Sequence, residues 1–371
     1  MALYKSTDLT DKTAKLINKF QTGEIKPIST GIKHLDKVLM GGLLPGTIVG
    51  ITARSQHGKS YDLERIQRHL LKENKNDIII VNGNYELNFF KILVRDICQR
   101  TGKTMDEVLF NNPSIEELKE LKNICNIHRN DNIYYQNEPV SPDTFFEDVK
   151  QIIEKYPNKK IVVTIDNLEN ILETKSSQKS SMDSFLTKIN ILKDMHQFIC
   201  FIVLNQLNDN FILRKDNIKT QRPLESDVYG SGQLLKLCDV LYIKMLPWKA
   251  GIKDKFMVFG AGSYEWLEDF KKYDLNGNTA NFDPLGVAYY FYLKRRNADI
   301  KDIQDVFAER IFKAEETNYK MESDAVMTNN ITPPPPSFDL TLPLPNTTPS
   351  LILDEYSSPS DAFGDDEDIP F

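Results

Sequence analysis

The chain has 371 residues, 40% of them hydrophobic and 27% charged, which is enough to bury a full core in one large α/β domain with appendages or in two ordinary domains. No apolar run approaches the length that crosses a bilayer and the first residues hold no apolar signal core, so the expectation is a soluble, cytoplasmic protein with no membrane partner. The net charge of −7 does not exclude a nucleic-acid partner, because four of the last seven residues are acidic and a global sum hides local patches.

Along the chain, Leu16, Ile17 and Phe20 give residues 1–27 the pattern of a single amphipathic helix, too short for a domain. His34 falls in a helical turn, where packing is the expected role. Residues 48–51 form an apolar strand, residues 61–66 open a helix, and between them runs Ala53-Arg54-Ser55-Gln56-His57-Gly58-Lys59-Ser60. A strand, tight loop and helix in that order aim backbone N–H groups and a helix N-terminus at one spot suited to phosphate oxygens. Lys59 would reach the terminal phosphates and Ser60 would ligate Mg²⁺. Ala53 stands where the motif usually has its first Gly.

A second buried strand over 77–82 ends in Asn84-Tyr85-Glu86-Leu87, and residues 89–125 read as helical, with a helix start at 113–117. A strand at 133–135 and a helix over 142–155 precede the strand 160–166, which ends in Asp166. Residues 174–181 read as a polar mobile loop, followed by a helix and the strand 198–204, which finishes in Asn205-Gln206-Leu207-Asn208. This alternation predicts a parallel sheet covered by helices on both faces, with ligands at the carboxyl ends of the strands. Residues 243–281 look irregular, with Asn276-Gly277 reading as a hairpin turn. An aromatic strand over 287–293 then delivers Lys294-Arg295-Arg296-Asn297. Beyond residue 315 the Pro-rich composition predicts a disordered tether. Cys98, Cys125, Cys200 and Cys238 show no C-x-x-C spacing and read as reduced thiols, suggesting neither a zinc site nor a disulfide framework.

Three polar residues at strand ends complete a phosphate chemistry. Asp166 fits a carboxylate that holds Mg²⁺. Glu86 fits a general base that polarises the attacking water, and Gln206 a sensor of the γ-phosphate.

Several segments together resemble the C-terminal RecA-type ATPase domain of DnaB-family replicative helicases over roughly residues 28–310. They are Thr30-Gly31 with Leu35-Asp36, Gly41-Gly42-Leu43, Ala53-Arg54, Asn84-Tyr85-Glu86-Leu87, Ile165-Asp166-Asn167-Leu168 and Asn205-Gln206-Leu207-Asn208. Most distinctive is Arg222-Pro223-Leu224-Glu225-Ser226-Asp227-Val228-Tyr229-Gly230-Ser231-Gly232, leading to Cys238-Asp239-Val240-Leu241. The resemblance implies an α/β fold of RecA-like P-loop type, a mainly parallel central sheet flanked by helices, with ATP and Mg²⁺ as cofactors. It implies a homo-oligomer, a hexameric ring, that translocates on single-stranded DNA.

The resemblance also makes Arg296 an arginine finger for the neighbouring subunit's γ-phosphate, with Lys294 its companion; an exposed basic strand end or a nucleic-acid contact are the other uses of such a run. DNA contacts are expected from Lys175 and Lys179 in one loop and from Arg214, Lys215 and Lys219 in another. The expected domains are a linker helix over 1–27, the ATPase over 28–315 and a tail over 316–371. The family's helical N-terminal collar is not expected in fewer than thirty residues. That departure leaves open a RecA-like DNA-binding, recombination-mediator or helicase-loading protein without unwinding activity. The tip, with Asp368, Ile369, Pro370 and Phe371, resembles the acidic tip of bacterial single-stranded DNA-binding proteins and would recruit replication proteins that recognise such tips.

Overall fold

Short runs of Ile and Val bounded by polar residues have no amphipathic face to offer; they are satisfied only as strands covered on both sides. In the computed structural model they become β1 (Ile48–Ala53), β2 (Ile78–Asn84), β3 (Ile133–Gln136), β4 (Lys160–Asp166), β5 (Ile199–Gln206) and β6 (Val240–Met245). The structure describes residues 5–74, 76–130, 132–138, 140–171, 178–208, 223–230, 232–251, 271–273, 279–282, 286–296 and 306–310. All lie within residues 1–328, the larger of the two units into which the chain divides.

Two short strands over Lys271–Tyr273 (β7) and Thr279–Phe282 (β8) pair antiparallel with each other. They flank residues 274–278, so the expected Asn276-Gly277 turn lies outside the described residues. The last strands are β9 (Val287–Arg295) and β10 (Val306–Arg310), and the eight-stranded sheet runs β10-β9-β6-β1-β5-β4-β2-β3. From β6 to β3 every pairing is parallel, while β9 runs against both β6 and β10. The mainly parallel sheet expected from the sequence is therefore the observed one.

The helices are α1 (Ser6–Gln21), α2 (Lys33–Val38), α3 (Lys59–Asn74), α4 (Phe89–Thr101), α5 (Met105–Phe110), α6 (Ile115–Asn130), α7 (Pro142–Lys155), α8 (Gln178–Leu192) and α9 (Gly232–Leu237). Side chains alternate across the sheet, and the two faces have different partners. Val49, Ile51, Ile80 and Val162 share one core with Leu63, Ile66 and Leu70 of α3. Ile48, Ile161, Val163 and Phe201 share the other with Phe145 and Val149 of α7 and Phe185 and Ile189 of α8.

Three expectations need correction. Residues 89–125 are not one helical stretch: Gly102, at φ +71°, ends α4, and a capping box between Thr104 and Glu107 starts α5. The loop expected over 174–181 gives way to α8 at Gln178, whose side-chain amide donates to the Glu169 carbonyl at 2.9 Å; residues 172–177 lie outside the described residues. Residues 243–245 belong to β6 rather than to an irregular segment. His34 does pack: it is buried against Tyr290 and Phe307, its Nδ1 lies 2.7 Å from the Tyr292 hydroxyl, and burial pushes its pKa down to about 3.

Candidate nucleotide-binding site

β1 ends at Ala53, which is fully buried and paired with Gln206. Left-handed backbone falls at Gln56 (φ +64°) and Gly58 (φ +77°), not at Ala53. The first motif position therefore tolerates a Cβ, whereas Gly58 answers a real conformational demand. The chain turns through Gln56 and Gly58 and enters α3 at Lys59, so the free N–H groups of a four-turn helix open onto the loop.

Lys59 is 5% exposed, and its Nζ lies 3.6 Å from a carboxylate oxygen of Glu86, which follows β2. Ser60 hydrogen-bonds Asp166 at the end of β4. Burial pushes the Asp166 carboxyl above the usual carboxylate range, opposed by the Ser60 hydrogen bond and the Lys59 charge. Its Oδ1 is buried with no hydrogen-bond partner, as are Thr52 Oγ1 and Asn205 Oδ1 on the adjoining strands. Unsatisfied oxygens at the carboxyl ends of β1, β4 and β5 fit a site that takes its remaining partners from a bound group. A hydroxyl and a carboxylate in contact are the hard oxygen donors Mg²⁺ selects. The His57 imidazole points into protein instead: Nδ1 accepts from the Leu246 N–H at 3.2 Å, and burial pushes its pKa down to about 3. Only the backbone of His57 is left to meet a phosphate.

Two partners of this site are silent in the sequence pattern. Lys244 on β6 reaches under the loop, where its ammonium donates to the Gly58 carbonyl at 3.1 Å and to Asp62 of α3 at 2.6 Å. Both side chains are buried, 1% and 0% exposed. Burial raises the Asp62 carboxyl pKa against the pull of Lys244. The second is Glu169, in the 3₁₀ turn Leu168–Asn170 after β4. Its Oε1 accepts the Gln206 backbone N–H at 2.9 Å, and burial raises its pKa as well.

Gln206 and Glu169 belong to a closed circuit. The Gln178 amide donates to the Glu169 carbonyl, the Tyr229 hydroxyl donates to Gln178 Oε1 at 3.0 Å, and the Tyr229 N–H returns to the Gln206 carbonyl at 2.9 Å. The distinctive segment after residue 222 is thus bonded to the end of the strand that carries Gln206.

Lys294 and Arg296 are not brought to this loop. β9 runs antiparallel to β6, so its end lies beside the beginning of β6 and β1, with Arg295 paired to Val240. Five residue steps along β1, roughly 17 Å at strand rise, separate Ile48 from Ala53. Both cations instead meet the last carbonyls of α9: Lys294 bonds those of Leu235 and Lys236, and Arg296 that of Lys236 at 2.6 Å.

The model of the DnaB-like helicase C-terminal domain matches residues 27–250, more than half of the chain. The chain belongs to that family. As a DnaB-like helicase domain it falls in a replicative-helicase family, which implies nucleotide binding and hydrolase chemistry. No curated protein sequence matches it. Among solved structures it is similar to an isolated ATPase domain, at TM-score 0.59 and 16% identity, over 78% of this chain and 92% of that one. It is similar too to "The Structure Of A DnaB-Like Replicative Helicase And Its Interactions With Primase", at TM-score 0.59 and 15% identity, over 82% of this chain and 64% of that one. These likenesses agree with the observed sheet and helices. Lys294 and Arg296 lie beyond the end of the family match.

Of the expected DNA contacts, Lys179 sits exposed in the first turn of α8. Lys175, Arg214, Lys215, Lys219 and the tip from Asp368 to Phe371 lie outside the described residues, as does residue 222. Among the described residues no helix is long and apolar enough to cross a membrane.

Proposed function

We propose that this DnaB-like domain is the motor of a replicative DNA helicase. It translocates on single-stranded DNA as a hexameric ring and hydrolyses ATP at subunit interfaces. The observation that carries the reading is the separation within one sheet of a complete phosphate cradle from the Lys294–Arg296 pair. Neither end can serve the other in one subunit, and repetition of the chain joins them.

Within the cradle, the loop amides and the N-terminus of α3 hold phosphate oxygens, and Lys59 neutralises them. Ser60 and Asp166 would hold Mg²⁺, which supplies charge neutralisation across the β- and γ-phosphates. A polyphosphate competes with Glu86 for the Lys59 ammonium, freeing that carboxylate to take a proton from water. Gln206, fixed through its backbone by Glu169 and Tyr229, reports on the γ-phosphate position. Arg296 from the adjacent subunit meets the charge developing there.

The test is strand displacement on forked DNA, paired with particle imaging. Lys59→Ala should abolish hydrolysis, and Arg296→Ala should lower it by about 10³-fold or more while nucleotide binding persists. Normal DNA-stimulated hydrolysis by Arg296→Ala would overturn the interface reading. ATP-dependent DNA binding without strand displacement would favour a loading or mediator protein.

A further inference from the structure

Asp239, between α9 and β6, has no role in the chemistry above, yet it is the most connected residue at the basic end of the sheet. Its N–H donates to the Ile48 carbonyl at 2.8 Å, and its Oδ2 accepts the Ile48 N–H at 2.9 Å. On its other side, its carbonyl accepts the Arg296 N–H at 2.7 Å and its Oδ1 accepts from the Arg296 guanidinium at 3.2 Å. The Asp239 side chain is 15% exposed and that of Arg296 46%.

An exposed Arg carries roughly 2 kcal/mol of rotamer entropy, and a group that stabilises transferring charge contributes most when its position is fixed beforehand. One oxygen of a nearly buried carboxylate is locked on the first amide of β1, leaving the other to orient the guanidinium. A carboxylate fits this double duty because both oxygens accept; an amide accepts on one side only.

We infer that Asp239 is the positioning residue for Arg296, holding the guanidinium in the pose in which it meets the neighbouring subunit's nucleotide. This rests on the subunit-interface reading above. Because Ile48 begins the strand that ends at the phosphate loop, Asp239 also fastens the group each subunit gives away to the strand that carries its own cradle.

Asp239→Asn keeps an acceptor for Ile48 and loses the one for Arg296. In the full chain with single-stranded DNA, kcat for ATP hydrolysis should fall about tenfold to a hundredfold, while KM and the affinity for a fluorescent ATP analogue stay within about twofold. A mixture with Lys59→Ala should regain hydrolysis above the sum of the separate proteins. One partner then supplies an intact cradle and the other an intact guanidinium clamp. A purely structural defect would not be rescued in this way. Hydrolysis by Asp239→Asn at or above the unsubstituted rate, or failure of the mixture to recover, overturns the inference. Should Asp239→Asn not fold, Asp239→Glu, which retains the charge but displaces it by a methylene, carries the same test with the same expected loss of kcat. If Arg296→Ala itself hydrolyses normally, the interface reading falls, and this inference with it; if only the Asp239 variants do, the interface reading stands alone.

Discussion

At the scale of single residues, the Lys244–Asp62 pair shows what the phosphate loop rests on. Removing one member of a buried pair strands the other charge, at a cost of about 3–5 kcal/mol. Lys244→Met should therefore lower the unfolding free energy by that order in denaturant titrations and weaken nucleotide binding, since the Gly58 carbonyl loses its donor. Replacing both members, Asp62→Leu with Lys244→Met, should cost far less stability. Equal losses in the single and double variants would refute the account. The residues legible in the sequence are those whose neighbours are local. Lys59 and Ser60 stand in one loop, and Asp166 and Gln206 close apolar runs. Lys244 and Asp62 are 182 positions apart, and no periodicity announces that a lysine inside a strand turns inward to a helix. Glu169 was hidden for a different reason, since its contact depends on where a 3₁₀ turn places one carboxylate.

At the scale of elements, the circuit through Gln206, Glu169, Gln178 and Tyr229 joins the end of β5, the turn after β4, the start of α8 and the segment before α9. Two of its members stand directly beside residues 172–177 and 209–222, where DNA contacts are expected. A shift at Gln206 thus has a bonded route to α8. Tyr229→Phe removes one link, worth about 0.5–1.5 kcal/mol. It should leave the DNA-independent hydrolysis rate nearly unchanged and cut the stimulation by single-stranded DNA several-fold. Unaltered stimulation would mean that the circuit only braces the fold. The same scale explains the misplaced boundary at residue 178. Ser- and Lys-rich residues with no local apolar pattern read as loop, yet α8 begins there because Gln178 is tied at both ends and Ser181 is buried.

At the scale of the whole molecule, two buried histidines set the response to acid. His34 and His57 have folded-state pKa values of about 3, against 6.5 when exposed. Below pH 6.5 the unfolded chain binds protons that the folded chain refuses. Their contribution is complete above that pH and is lost as the pH falls toward 3. The limiting slope for two such groups is about 2.7 kcal/mol per pH unit. Asp62, Asp166 and Glu169, whose pKa values are raised by burial, work in the opposite sense. The informative measurement is therefore the difference between the chain and its His57→Gln variant, which should lose stability less steeply between about pH 6.5 and 5. Parallel curves would show that His57 titrates normally.

One further consequence follows from the reversal of β9. Had that strand run parallel to β6, Arg296 would stand at the same end of the sheet as the phosphate loop. Antiparallel, it gives each copy an arrow, with a receiving end and a giving end. Copies joined through those ends have two unlike faces before any nucleic acid is bound. A strand of DNA is itself an arrow, so the assembly and its track have two inequivalent ways to align.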